Sequence, residues 1–380
     1  MIFHFCKAGE TLLSIAREYG ISPVRLLEEN ALSDPDRLAV GQCLVIYRSA
    51  RSYTVRGGDT LGDICRRFRT TAGELQKFNP AIGKKQLLYP GQTLSLGRAE
   101  ASGGCLSVNG IVSVSVPLPK ITAFASALTY ITISIKSDSL RRGGELSKCT
   151  EIVSFSKRNG ILPLALVPLS EVSDELLSSL MDIGFVGLLA EIDSGLQPLD
   201  SAIAHAKGSG LIVGLLGSVS VASQSEIADF IVPVPDDSGE GFSRLCTLLR
   251  RDADQNLYRI MPPLPSHAIE EYSTLSFSSS LPLYECAAFA YKRNAPIERD
   301  ATDRPFIQYD KVVRGKAERC TLRFEDLASI KNGLTEIGES GMSGLTLDLE
   351  SAPESICTLL HQSFDIIRAV GEKDGGRLPL

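Results

Sequence analysis

The sequence contains no tryptophan, and its four histidines, His4, His205, His267 and His361, stand too far apart for the short spacing of metal ligands. No metal and no cofactor are expected. No apolar run reaches the roughly 18 residues that a membrane-spanning helix needs, so no membrane span is expected either. There is no block of lysine and arginine: 39 basic residues are set against 45 acidic ones, for a net charge of −6. Binding to nucleic acid, which relies on clustered cations to neutralise phosphates, is thereby disfavoured. The nine cysteines form no CxxC pair and are odd in number, a pattern of reduced thiols rather than of a disulfide or zinc framework. The opening MIFHFCKAGETLL lacks a charged segment followed by an apolar stretch and a cleavage site, so export by the general secretory route is not indicated and synthesis in the cytoplasm is expected.

What the chain does contain is a repeat. Gly9, Thr11, Leu12, Ile15, Leu26 and Asn30 recur 49 residues later as Gly58, Thr60, Leu61, Ile64, Leu75 and Asn79, and Gly41–Gln42 recurs as Gly91–Gln92. Each copy carries its own start and stop signals, as a small domain used twice would. In the second copy Tyr53 and Val55 alternate into a strand that Gly57–Gly58 breaks. Asp59 and Thr60 can cap a helix whose Leu61, Ile64 and Phe68 share one face. A second helix near Thr71 to Phe78 stops before Asn79–Pro80, and Pro90–Gly91 turns the chain into a closing strand from Thr93 to Leu96. The order is strand, helix, helix, strand.

YTVRGGDTLGDIC, FNP and LYPGQTL resemble the LysM module, and HFCKAGETLLSIA, ENALSD and LAVGQCLVI resemble a more diverged copy. The modules are expected at residues 2–47 and 52–97. The resemblance implies binding of an N-acetylglucosamine-containing glycan, such as peptidoglycan or chitin, in a shallow groove between two loops. By position that groove uses Gly58, Asp59, Thr60 and Leu61 with Asn79, Pro80, Ala81 and Ile82. In the first copy it uses Gly9, Glu10, Thr11 and Leu12 with Asn30, Ala31 and Leu32. Asp, Thr and Asn are equally favoured as caps and turns, so each also has a purely structural reading.

With 43% hydrophobic residues over 380 positions, the chain can bury a sizeable core beyond the modules. After a linker at Gly97 to Gly104, apolar strands alternate with helical patterns. Strands are expected at Ser107–Val116, Leu128–Ile135, Ile161–Val167, Gly187–Ile192, Gly210–Leu216, Phe230–Val234, Thr321–Phe324 and Gly344–Leu349. Helices at Glu171–Met181, Leu199–Lys207, Glu240–Arg251 and Asp326–Ile337 lie between them. The fold class is therefore α/β: two small βααβ modules, then a (β/α)8 TIM-like barrel over 105–372, with any site at the C-terminal strand ends. RIMPPLPSHAIEEY can supply one of the eight strands, with SLPLYECAAFAYKRNAPIERD as an inserted excursion.

VNGIVSVSV, LTYITISI, GFVGLLAEID, PFIQYD, RFEDLASI and GMSGLTLDLE stand in the order of landmarks of a glycoside hydrolase family 18 domain. LysM modules ahead of such a domain resemble bacterial spore cortex-lytic and spore-germination hydrolases. The resemblance implies substrate-assisted cleavage beside an N-acetyl sugar, outside the usual carboxylate pair. A Glu protonates the leaving oxygen, and an Asp two residues earlier orients the acetamide from the same face of the strand. The family pattern is DxxDxDxE. Here its positions hold Val186, Leu189, Glu191 and Asp193, so the two acids have exchanged lengths and the earlier polar positions are apolar. A misplacement of about 1 Å costs on the order of a hundredfold in rate. Asp236 stands where the family's acetamide-binding Tyr belongs, and Asp348 where a Trp usually floors the sugar site; aromatic faces supply large contact area there.

Three functions follow. The first is a peptidoglycan-binding, spore- or cell-wall-associated protein with a catalytically degenerate barrel. The second is an active peptidoglycan N-acetylglucosaminidase using Asp193 as acid and Glu191 as acetamide partner. The third is a structural spore-envelope protein in which two modules attach by avidity. The altered acids favour the first. Asp236, Asp237, Asp348 and Glu350 would gather at strand ends, and His267 could face the barrel mouth.

Overall fold

The computed structural model describes residues 1–368 except 33, 48–51, 69–71, 73–74, 76–78, 80–81, 83–87, 97–103, 136–142, 193–198, 219–226, 235–240, 253 and 273–278. In the first module, β1 (Ile2–Phe5) pairs antiparallel with β2 (Cys43–Ile46), around α1 (Leu12–Tyr19) and α2 (Pro23–Glu29). Thr11 starts α1 through a reciprocal capping box with Ser14, and Gly20, at φ 66°, ends it in the left-handed region where glycine carries no Cβ penalty. Leu12, Ile15, Ala16, Leu26, Leu44 and Ile46 fill the module's own core.

The second module repeats this with β3 (Ser52–Thr54), α3 (Leu61–Phe68) and β4 (Thr93–Ser95), around Val55, Leu61, Ile64, Leu75, Ile82 and Leu94. The helix expected at Thr71 to Phe78 falls mostly outside the described residues. Thr60 caps α3, accepting the Asp63 N–H at 3.2 Å. Asp59 does not cap the helix: its carboxylate faces back and holds the Arg56 N–H at 2.7 Å.

The barrel is built from parallel strands β5 (Cys105–Ser113), β6 (Tyr130–Ser134), β7 (Leu162–Pro168), β8 (Gly187–Glu191), β9 (Ile212–Gly217), β10 (Phe230–Pro233) and β16 (Gly344–Asp348). The eighth stave, between β10 and β16, is the proline-rich stretch at Met261–Leu264. It is held by the bridges Ile231–Ile260 and Pro263–Thr346 and by the Met261 and Leu264 N–H groups. Proline lacks an N–H, so this stave carries fewer ladder bonds than its neighbours. The outer layer comprises α4 (Leu118–Phe124), α5 (Gly143–Arg158), α6 (Asp174–Ile183), α7 (Leu199–Gly208), α8 (Phe242–Asp252), α10 (Leu327–Ser340) and α11 (Ile356–Ser363). A two-residue β17 (Asp365–Ile366) pairs with the start of β5.

Between the eighth stave and α10 the chain leaves the barrel for an antiparallel sheet, in the order β12 (Ser279–Pro282), β11 (His267–Tyr272), β15 (Lys316–Arg323), β14 (Pro305–Val313), β13 (Ile297–Arg299), with α9 (Cys286–Arg293) packed on it. Thr321–Phe324, expected as a barrel strand, belongs to this insert instead: Thr321 pairs with Glu271 and Gln308.

The first module is docked on this body. Val45 and Tyr47, at 0% and 2% exposure, belong to the same buried cluster as the barrel's outer layer. The Ile297 N–H donates to the Val40 carbonyl at 2.8 Å. The Arg299 guanidinium lies over the Phe5 ring at 4.5 Å while also binding the Asp326 carboxylate.

Candidate functional site

Each module begins with a loop fixed by an acid. Glu10 accepts the Lys7 N–H at 2.8 Å and bonds His4 Nε2 at 2.8 Å. Asp59, its counterpart 49 positions on, accepts the Arg56 N–H and the Tyr53 hydroxyl at 2.6 Å. These bonds hold both carboxyls below their ordinary titration range, led by the Lys7 N–H for Glu10 and by the Tyr53 hydroxyl for Asp59. Gly9 and Gly58, at φ 82° and 91°, turn the loops outward and are exposed. Thr11 and Thr60 spend their hydroxyls on caps.

The facing loops are tied down from inside. Asn30 is buried: its amide donates to the Leu26 and Val45 carbonyls, both at 2.9 Å, and its oxygen takes the Val45 N–H at 2.6 Å. Asn79 donates to the Leu75 carbonyl at 2.7 Å. Leu12, Leu61 and Ile82 are core residues, Leu32 is half-buried, and Ala31 is exposed at φ 49°. Pro80 and Ala81 lie outside the described residues. The side chains singled out in the sequence thus largely shape the loops. Exposed on the loops are Gly9, Gly58 and Ala31 together with Thr11 and Thr60, while Glu10 and Asp59 are half-buried.

In the barrel, strand alternation sorts the side chains. Leu164, Leu189, Phe230, Val232 and Met261 meet inside the ring, while Val167, Leu188, Ala190, Val213 and Leu215 face the helices. Leu189, at the second motif position, is fully buried in that interior layer. Glu191, two residues on and of the same alternation, ends β8 opposite Pro168 and Leu216. It is exposed and has no hydrogen bond or ion pair among the described residues. Asp193, Asp236 and Asp237 lie outside the described residues.

Across the mouth, the eighth stave and β16 bring together a polar set. Ser351 Oγ donates to Asp348 Oδ2 at 2.8 Å, and the Glu350 N–H donates to Asp348 Oδ1 at 3.0 Å. His267 Nε2 stands 3.4 Å from Ser351 Oγ, and His267 Nδ1 2.9 Å from Ser266 Oγ. Ser351 has one proton, already given to the carboxylate, so His267 Nε2 is the donor in that contact, and in the neutral ring Nδ1 then accepts from Ser266. Glu350 accepts the Ser113 N–H at 3.0 Å. Asp348, Glu350 and His267 therefore do gather at strand ends. Ser266 and Ser351, which carry the chain of bonds, belong to no motif and join only through the fold.

The architecture is thus two small N-terminal modules, the first of them strand, helix, helix, strand, ahead of a (β/α)8-type barrel with an antiparallel insert. Residues 7–46 and 53–97 match the LysM domain. The endolysin of Bacillus phage B103 is 35% identical over 98 residues, 24% of this chain and 37% of that protein, so the chain spans little more than a third of this relative. The spore cortex-lytic enzyme SleL of Bacillus megaterium QM B1551 shares the fold with a TM-score of 0.67 at 17% identity, over 97% of this chain and 99% of that one. A chitinase of Chromobacterium violaceum matches with a TM-score of 0.55 at 13% identity, over 68% of this chain and 98% of its own. At such identities the likeness concerns the fold.

Proposed function

We propose that this protein binds peptidoglycan through its LysM modules, resides at the spore envelope or cell wall, and carries a barrel whose glycosidase centre is degenerate. The observation that carries the second half is the buried Leu189 beneath Glu191, which has no partner among the described residues. A proton donor works only when neighbouring groups hold it within hydrogen-bond reach and tune its pKa. An apolar floor supplies neither. The absence of any tryptophan removes the broad aromatic face on which such sites seat a sugar. Binding is supported by the LysM match and by the exposed Gly9, Thr11, Gly58 and Thr60 of the two acid-fixed loops.

A second reading, an active N-acetylglucosaminidase, is favoured by one feature: Glu191 shares the alternation of the interior residues and ends its strand at the mouth. The decisive experiment incubates purified spore-cortex and vegetative peptidoglycan with the intact protein and with Glu191→Gln/Asp193→Asn, followed by fragment mass analysis and sedimentation. The binding reading expects both proteins to pellet with the glycan and neither to release fragments. New N-acetylglucosamine reducing ends produced by the intact protein alone would overturn it.

A further inference from the structure

A cavity of about 1000 Å3 lies where the first module, the insert and the barrel rim meet. Its module wall is the 30–32 loop with Arg37. The insert contributes Tyr284, Ala287, Ala288 and Lys292 from the turn before α9 and from α9 itself. The rim contributes Lys120, which follows β5, and Pro353 to Ser355, which follow β16. Leu327 and Ile330 of α10 also line it, so the cavity stands outside the ring of strands, beside the mouth rather than within it. Its volume is at the upper end of the roughly 300–1,000 Å3 of small-molecule sites.

The chemistry of the walls narrows the occupant. Most acids there are already engaged: Glu325 with the Phe242 N–H at 3.1 Å and Arg304 at 3.3 Å, Asp326 with Arg299 and the start of α10, Asp34 with Arg37 at 2.9 Å. What remains open is the Tyr284 ring, 53% exposed, the exposed Lys292 ammonium and the Glu354 carboxylate at the rim. Lys120 Nζ sits 5.5 Å from the Tyr284 ring centroid. An aromatic face suits the C–H face of a pyranose, and the Lys292 ammonium in the same wall, with Lys120 by the ring keeping donors beyond the one given to the Glu350 carbonyl, suits a carboxylate on that sugar. We infer that the cavity is a glycan-binding site, distinct from the barrel mouth, for a strand of N-acetylglucosamine and the carboxylate-bearing N-acetylmuramic acid. The strand would continue there from the 30–32 loop. This rests on the reading of the first module as glycan-binding.

Because the chain has no tryptophan, Tyr284→Trp places a single tryptophan, excited selectively over the tyrosines at long wavelength, in the cavity wall. Titration of this full-length variant with N-acetylchitotetraose, and with a soluble peptidoglycan tetrasaccharide, should give a saturable shift of emission to shorter wavelength. The tetrasaccharide should bind more tightly, and the advantage should fall when Lys292→Ala is added. Ala288→Arg, at an exposed position of α9, should weaken both titrations at least tenfold. Sedimentation of the unaltered protein on insoluble peptidoglycan is measured separately. Pelleting with no emission change on either sugar overturns the cavity while leaving LysM binding intact. An emission change that Ala288→Arg abolishes supports the cavity whether or not the protein pellets.

Discussion

The repeat supplies its own control for the docking of the first module. Gly41 and Gly91 occupy the same turn, at φ 80° and 87°, and each donates its N–H to the strand before it, to Cys6 and Val55 respectively. An alanine at either pays for the left-handed backbone, about 1–2 kcal/mol. Beyond that the two part. A Cβ at Gly91 meets nothing within 4 Å, whereas at Gly41 it would stand 2.0 Å from the Ile297 carbonyl oxygen. Backbone cannot yield as a side-chain tip does, so the insert must move away. That movement breaks the Ile297–Val40 bond, about 1 kcal/mol, and loosens the contact around Ala39 and Ile297. Overpacking of this kind typically costs about 1–3 kcal/mol.

Gly41→Ala is therefore expected to lose about 2–4 kcal/mol more than Gly91→Ala, at the seam between module and insert. Hydrogen exchange read by mass spectrometry localises the loss. Peptides spanning residues 39–45 and 297–299 should exchange on the order of a hundredfold faster in Gly41→Ala and unchanged in Gly91→Ala, since about 1.4 kcal/mol is a factor of ten. Equal exchange at Ile297 in the two variants would refute the docking. So would faster exchange confined to the module in Gly41→Ala.

Leu189→Asp returns an acid to the second motif position. Its expected outcome is a fall in Tm with no gain of peptidoglycan hydrolysis, because a carboxyl there enters a layer of Leu164, Phe230 and Val232, at a penalty of several kcal/mol unless it finds a partner. Fragment release at unchanged Tm would refute that. On acidification the module loops should loosen: the folded-state values of Glu10 and Asp59 are depressed, so their contribution is present above the unfolded values and lost as pH falls through the folded ones. Amide shifts of Lys7 and Arg56, followed by NMR, should titrate with midpoints below the ordinary 4.5 and 3.8; midpoints at or above these would contradict the loop geometry. Glu325 has the opposite sign, since burial raises its folded value, and its contribution is lost as pH rises.

The modules and most of the barrel were legible because they repeat a pattern, either a 49-residue period or an apolar strand followed by a helix. Thr321–Phe324 misled because it is apolar at the right interval. Its burial alternates, with Cys320 and Leu322 buried and Thr321 and Arg323 half-exposed, whereas Leu345, Thr346 and Leu347 of β16 are all buried. A parallel strand covered on both faces reads as a continuous apolar run, and the arginine at 323 was the available sign of a sheet with one open face. The stave at Met261–Leu264 falls within RIMPPLPSHAIEEY, the stretch read as able to supply a barrel strand, although its two prolines weaken the strand signal. The seam of Val40 with Ile297, and the Ser266–His267–Ser351–Asp348 chain, join residues far apart in sequence and left no local trace.

The same interior that weakens the case for catalysis strengthens the barrel. Phe230 stacks on Tyr130 with ring centroids 5.4 Å apart and lies over Gly214, where an added Cβ would meet the ring at 2.4 Å. Leu189, Leu164 and Val232 are buried in the same cluster. Burying a side chain of this size contributes about 1.5–3 kcal/mol, while an acid in its place would have to be desolvated and paired. A core filled with leucine and aromatic side chains leaves the rim to the loops and helices around it. In this protein the rim is where the first module docks, where the insert closes against it, and where the exposed Tyr284 faces a cavity that a barrel without the module would leave open on one side. Leucine in the interior and glycine at the seam are then parts of one arrangement, which holds the first module, the insert and the barrel rim in fixed relation.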